Sequence, residues 1–328
     1  MTFRARTLAL LASAALFLPS EAWAKKKNKK AEATPVEAPA APSSDASPAM
    51  QLSYDMTLLD PGAEPRAPLR LKPAVGSPQV LDMMMDMGMH MAVADQVQDM
   101  DLPPIVFSMR STVDGVDKDG SMTVSTVWQG AHVEEGGSAP PEVTDAMMQG
   151  FKMIQGLAMT QKLDGTGRLL SMKLEGEPSP EIAAALNGVQ DSMRQSQVYL
   201  PAEPVGLGAR WKVTVHIVSN GIPVDAATTY TLKDHAGDVL KLGTDIAMTI
   251  DTKAMQAAMG GAGASMDRFE ATGSGDLSWD LNELFPTGKM GYQMHMAMSA
   301  PSPTGEAPVG VNMDMSYDME MKKGVVAQ

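Results

Sequence analysis

Methionine falls on every second position in three separate stretches of this chain, and that spacing constrains the fold more than any other feature. Met83, Met85, Met87, Met89 and Met91 share one parity, with Asp82, Asp86 and His90 between them. Met294, Met296 and Met298 repeat the alternation around His295. Met313, Met315, Tyr317, Met319 and Met321 alternate with Asn312, Asp314, Ser316, Asp318 and Glu320. Side chains of a β-strand point to opposite faces in turn, so period two predicts strands with one apolar and one polar face. Methionine has only modest strand propensity, so the alternation itself carries the assignment.

Other segments follow the same rule. Trp211, Val213, Val215 and Ile217 share a parity, as do Met122, Val124, Thr126 and Trp128 after a turn at 117–120. Segments 227–233 and 239–250 flank a turn at 235–238. About a dozen strands joined by short connections predict antiparallel meanders. Two helices are expected. Over 142–159, Met147, Phe151, Ile154 and Ala158 form one stripe. Over 179–197, Ser179 caps, Pro180 opens, and Ile182, Leu186, Val189 and Met193 keep helical spacing. Segment 253–268, with its run from Gly260 to Gly263, reads as a loop with at most a short helical turn. The expected fold is mainly β (α+β): a large curved antiparallel sheet or partial barrel with two packed helices.

The N-terminus reads as an export signal. Arg4 and Arg6 precede an apolar run, Leu8 to Leu18, then Pro19, Ser20 and the small-x-small triplet Ala22-Trp23-Ala24. The run is shorter than the roughly 20 residues of a membrane-spanning helix. Cleavage near Ala24 would give a periplasmic or secreted product with no transmembrane segment and no cysteine for a lipid anchor. Three segments are therefore expected: a signal peptide over 1–24, a disordered Lys-rich then Ala/Pro-rich linker over 25–49, and a β-rich globular region over 50–328. Whether that region is one unit or two β-halves meeting near 198–210 stays open. So does the role of the run from Lys25 to Lys30, for which a solvated start to the linker is weighed against an anionic contact.

The charge restricts partners. The chain carries −13. Removing 1–24, with Arg4 and Arg6 against Glu21, leaves −14. Five lysines against Glu32, Glu37 and Asp45 in 25–49 then leave −16 on 50–328. Such a region repels nucleic acid and anionic surfaces at long range, so no nucleic-acid partner is expected.

The sequence carries no catalytic signature. With 0 cysteines, thiolate nucleophiles and thiolate metal sites are excluded. His90, His132, His216, His235 and His295 form no His-Glu-x-x-His pattern. There is no Gly-x-Ser-x-Gly elbow and no phosphate-cradling loop. The acidic stretch from Asp114 to Gly120 misses two carboxylates of a calcium loop and reads as a hairpin turn. No enzyme, cofactor or metal site is expected, and a hydrolase with an unrecognised site is the least favoured reading.

The 30 methionines then carry the functional reading. Core filling is the plain explanation, because Met adapts to irregular gaps. The functional alternative is a surface for a lipid, another apolar small molecule or an envelope partner, lined by Met87, Met89, Met91, Met294, Met296, Met298, Met313, Met315 and Met319. The runner-up is copper(I) or silver(I), which soft thioethers select. Same-face neighbours along one strand stand about 6–7 Å apart at the backbone, so metal ligands would have to converge from adjacent strands. His90 and His295 fall on the opposite face from their Met neighbours.

One motif carries a resemblance. Leu200-Pro-Ala-Glu-Pro-Val-Gly-Leu-Gly-Ala-Arg-Trp211 looks like an uncharacterised, domain-of-unknown-function family of bacterial secreted proteins and lipoproteins. Val116 to Gly120, Asn220-Gly221-Ile222, Thr228 to Thr231 and the Met-alternating strands are similar too, so the resemblance covers roughly Leu52 to Lys322. Many members are lipoproteins, whereas this chain lacks the anchoring cysteine. The family brings no activity and no catalytic residues. Pro204, Gly206, Gly208 and Trp211 read as a structural motif: glycines for a tight turn into the strand, tryptophan for its buried face.

Overall fold

The alternating segments are strands, and all of them join one sheet. The computed structural model describes residues 53–93, 96–175, 198–219, 222–258, 265–300 and 309–325. The first strands are β1 (Ser53–Asp60), β2 (Pro78–Val93), β3 (Gln96–Val116) and β4 (Met122–Val133). Helix α1 (Pro141–Ile154) precedes β5 (Ala158–Leu163) and β6 (Leu169–Leu174). Then come β7 (Arg210–Ser219), β8 (Ile222–Ala236), β9 (Val239–Ile250), the short helix α2 (Thr252–Ala258), β10 (Ser265–Asp280), β11 (Thr287–Ala300) and β12 (Val309–Lys323). The order across the 12-stranded antiparallel sheet is β1-β7-β8-β9-β10-β11-β12-β2-β3-β4-β5-β6, not closed into a barrel.

The sheet is strongly curled. From β10 to β5 is six strand steps, about 29 Å if flat at about 4.8 Å per strand. Yet a Cβ on Gly167, in the β5–β6 turn, would lie 3.6 Å from the Trp279 ring on β10. The connection between β1 and β2 spans the gap. Leu71 N–H donates to the Gly165 carbonyl (2.8 Å) and the next residue, Lys72, to that of Leu281 (2.7 Å). Segment 198–209 reinforces this end. Leu200 N–H donates to Thr166 (3.0 Å), Tyr199 stacks on Tyr54 of β1 (4.9 Å), and Arg70 donates to the carbonyls of Pro201 (3.1 Å) and Ala202 (2.7 Å).

The motif ending at Trp211 belongs to this closure. Trp211 is fully buried, stacks on Tyr230 (5.6 Å) and donates its indole N–H to the Tyr199 carbonyl (2.8 Å). Val205 pairs with Ala67, Gly206 N–H donates to Pro61 (2.9 Å), and Ala63 N–H to Leu207 (2.8 Å). The two backbones run so close that a Cβ on Gly206 would overlap the Ala63 carbonyl. Gly208 turns the chain into β7 at a φ of 82°.

Two expectations need correction. The helix expected through Met159 ends at Ile154, and Ala158 and Met159 open β5. Gly156, at a φ of 79°, breaks the helix, and its N–H is captured by the Trp128 carbonyl at 2.8 Å. Of the loop expected over 253–268, the first part is α2 and the last residues already belong to β10. The helix expected over 179–197 lies outside the described residues, as do the signal and linker over 1–49. The 117–120 turn is a hairpin turn, as expected, with Asp117 N–H donating to the Ser121 carbonyl (2.7 Å).

β3 holds a feature that alternation alone does not announce. Between the pairs Met85–Ile105 and Met87–Leu102, β2 advances two residues and β3 three. The extra residue falls at Pro103-Pro104, where a broken ladder tolerates proline's missing N–H.

Gly206→Ala is expected to cost about 3 kcal/mol or more through this backbone overlap. Gly208→Ala, which meets no atom within 4 Å, should cost only the about 1–2 kcal/mol of its left-handed backbone. Urea unfolding of the two variants measures the difference.

Candidate functional site

Pairing of β10, β11, β12, β2 and β3 stacks the methionines into cross-strand rows. Met290, Met319 and Met85 are directly opposite one another, followed by Tyr292, Tyr317 and Met87. The next rows are Met294, Met315 and Met89, extended by Met100 on β3, and then Met296, Met313 and Met91. Met298, Val311 and Val93 end the series. All nine methionines singled out from the sequence thus lie on one face. Met294, Met296, Met298, Met313 and Met319 are buried, while Met87, Met89, Met91 and Met315 are partly buried. Met248, Met266 and Phe269 pack against the same cluster. Sequence reasoning left these out because none sits in a methionine run.

Two tyrosines interrupt the band. Tyr292 and Tyr317 stack at 4.9 Å, and the Tyr317 hydroxyl donates to the Met85 sulfur at 2.8 Å. Burial pushes both phenols above their ordinary value, so they stay neutral.

Toward the closed end, the same face holds a cavity of about 70 Å³ lined by Leu71, Met83, Met109, Gln161, Trp279, Phe285 and Met321, among others. Ordinary ligand pockets measure about 300–1,000 Å³, so here the concave face is filled by its own side chains. The Gln161 carboxamide is buried in this apolar lining and donates to the Met159 sulfur at 3.1 Å.

Among the described residues, two buried polar atoms on the concave side have no hydrogen-bond partner: the Trp128 indole nitrogen and the Thr244 hydroxyl. Leaving such a group unmade costs about 1–3 kcal/mol. Trp128 borders a narrow cleft between α1 and β3–β4, with Phe107, Gly130, Ala131, Phe151 and Gln155. Nothing in the sequence marks this cleft, because it exists only where α1 lands on β4.

The convex face is polar. Glu270, His295, Asp314, His90 and Asp99 form one row across five strands, carboxylate and imidazole in turn. His295 Nδ1 lies 2.6 Å from Asp314, and His90 pairs with Asp99. Both histidines therefore face away from the methionines, as expected. His216 sits between Asp225 (2.7 Å) and Asp55 (3.2 Å), which together raise its pKa. Among the described residues, no group of three or more His, Cys, Asp or Glu is arranged to hold a metal ion. No described helix is long and apolar enough to cross a membrane.

Residues 186–286 match a family of unknown function, DUF6263. This supports the resemblance to an uncharacterised family over that span, which includes the motif from Pro204 to Trp211 and strands β7–β9. The 116–120 turn and the methionine strands β2, β11 and β12 lie outside it. No curated protein matches the chain.

Two outcomes follow from these groups. Thr244→Val keeps the branched shape and removes the unpartnered hydroxyl, so it should raise stability by about 1 kcal/mol in urea unfolding. His216 has a raised folded pKa, chiefly from Asp225 and then Asp55. Its stabilisation is complete below its ordinary value of 6.5 and is lost as pH rises through the raised value. Asp225→Asn should make that alkaline loss shallower, measured by thermal melts between about pH 5.5 and 8.5.

Proposed function

We propose that this chain is an exported, non-enzymatic protein that takes up an apolar ligand, such as an acyl chain or another lipid, on its methionine face. The band of methionine rows on the concave face of a curled sheet carries this reading. Strand alternation demands only apolar side chains at these positions, and Val, Ile or Phe serve a strand better. Thioether chains are flexible and repack around varied apolar shapes. A cavity of about 70 Å³ can grow as they move aside. The charge of −13 keeps a protein with such a lining dissolved. Export rests on the N-terminal pattern of Arg4, Arg6, the apolar run and Ala22-Trp23-Ala24.

Soft-metal capture is a second reading, favoured by register. Directly opposed side chains have Cβ atoms about 4.5–5.5 Å apart, closer than neighbours along a strand. Met294, Met315 and Met89 therefore bring three thioethers side by side from three strands.

Native mass spectrometry of the chain purified without detergent separates these readings. A reproducible adduct of lipid mass is expected, retained when Met89, Met294 and Met315 are all replaced by Leu. A copper- or silver-sized shift lost in that triple variant would favour the metal. A bare mass after exposure to lipid extract and to copper(I) would overturn both.

A further inference from the structure

We propose that the cavity at the closed end takes the hydroxyl end of a neutral long-chain ligand, which donates to the Oε1 atom of Gln161. The inference rests on the apolar-ligand reading and adds where the ligand's polar end docks and what chemistry it carries.

Gln161 is the polar side chain of this cavity, and it is 5% exposed. Leu163, two residues along β5, and Val124, directly opposite on β4, line the cavity with it. Its Nε2 is turned elsewhere, donating to the sulfurs of Met159 (3.1 Å) and Met172 (4.0 Å), neither of which belongs to the lining. Oxygen and nitrogen diverge from one carbon of a carboxamide, so this arrangement sets Oε1 toward the cavity. Exchanging the two would face oxygen lone pairs against sulfur. Among the described residues no donor reaches Oε1. Unlike the Trp128 and Thr244 atoms, it is not sealed off by its neighbours. A lone acceptor of a buried residue thus opens on enclosed space.

The lining cannot satisfy that acceptor. Its other side chains are hydrocarbon or thioether, except the Trp279 indole, whose N–H is spent on the Glu283 carbonyl at 3.2 Å. None of them ionises, so a charged head would lack a counter-charge. A carboxylate would also set its own oxygens against Oε1, whereas a hydroxyl donates without charge. A water needs about 10–15 Å³, so a cavity of about 70 Å³ has room for a hydroxyl and the carbon that bears it. Met83 and Met321, directly opposite each other on β2 and β12, form part of the wall. Their same-face neighbours two residues along, Met85 and Met319, belong to the first methionine row. The ligand's tail therefore meets thioethers, side chains flexible enough to repack around it.

The test measures binding of dodecanol, dodecyl methyl ether and dodecanoate to the full chain by equilibrium dialysis at neutral pH. Gln161→Leu keeps a similar volume and suits the apolar lining. It should bind dodecanol about tenfold more weakly, the scale of one hydrogen bond, and bind the ether as the native chain does. Dodecanol, and not the ether, should move the Gln161 side-chain amide resonances, assigned in the native chain. If the variant loses affinity for neither ligand, or for both equally, the inference fails while the apolar-ligand reading stands. Should the variant not fold, the native chain still decides: amide resonances that dodecanol leaves in place overturn the inference. If the native chain binds neither dodecanol nor the ether, both readings fail. If dodecanoate binds as tightly as dodecanol, the neutral hydroxyl end is overturned.

Discussion

The curl of the sheet depends on two consecutive backbone donors. Leu71 and Lys72 reach carbonyls in turns that flat-sheet spacing would set about six strands apart. Without that strap the twelve strands would be free to splay, since among the described residues neither β1 nor β6 has a strand beyond it. Curvature in turn lets one face be shared: residues from β2 to β5 and from β7 to β10 enter a single buried cluster. The long strands in the middle of the sheet continue beyond that cluster, and their continuation is the methionine band.

The strands were legible because period two is a direct readout of which face a side chain occupies. Met83 to Met91 keep one parity through the whole of β2, so the alternation survived folding there. It did not survive in β3, where buried positions are odd from Ile105 to Val113 while Met100 and Leu102 share the methionine side from even ones. Proline at 103 and 104 marks the switch, yet a dipeptide cannot say which partner it bulges against. The end of α1 was ambiguous for a similar reason. Ala158 and Met159 fit both a helical stripe and a strand, and pairing of Met159 with Thr126 on β4 decides between them.

The candidate residues were legible as a set and their neighbours were not. Alternation placed nine methionines on one face, but row partners depend on strand order, which brings β12 between β11 and β2. Met100, Met248, Met266 and Phe269 join through that order alone. The unpartnered indole of Trp128 is further still from the sequence, being a product of where one helix settles on one strand. The motif from Pro204 to Trp211 was the opposite case. Its glycines announced a tight passage, and the backbone at Ala63 is what they pass.

A concave face made of thioethers rather than hydrocarbon also carries a chemical liability. Oxidants convert methionine to its sulfoxide, turning a flexible apolar side chain into a polar one. Burial shields Met294, Met296 and Met313, whereas the partly exposed Met87, Met89, Met91 and Met315 meet the oxidant first. Met315 lies between Met294 and Met89, and Met91 beside Met313, so a sulfoxide at either position places a strong dipole against neighbouring sulfur. Damage at the rim would loosen the rows inward, so the same softness that suits the band to varied apolar partners ties its lifetime to the redox state of its surroundings.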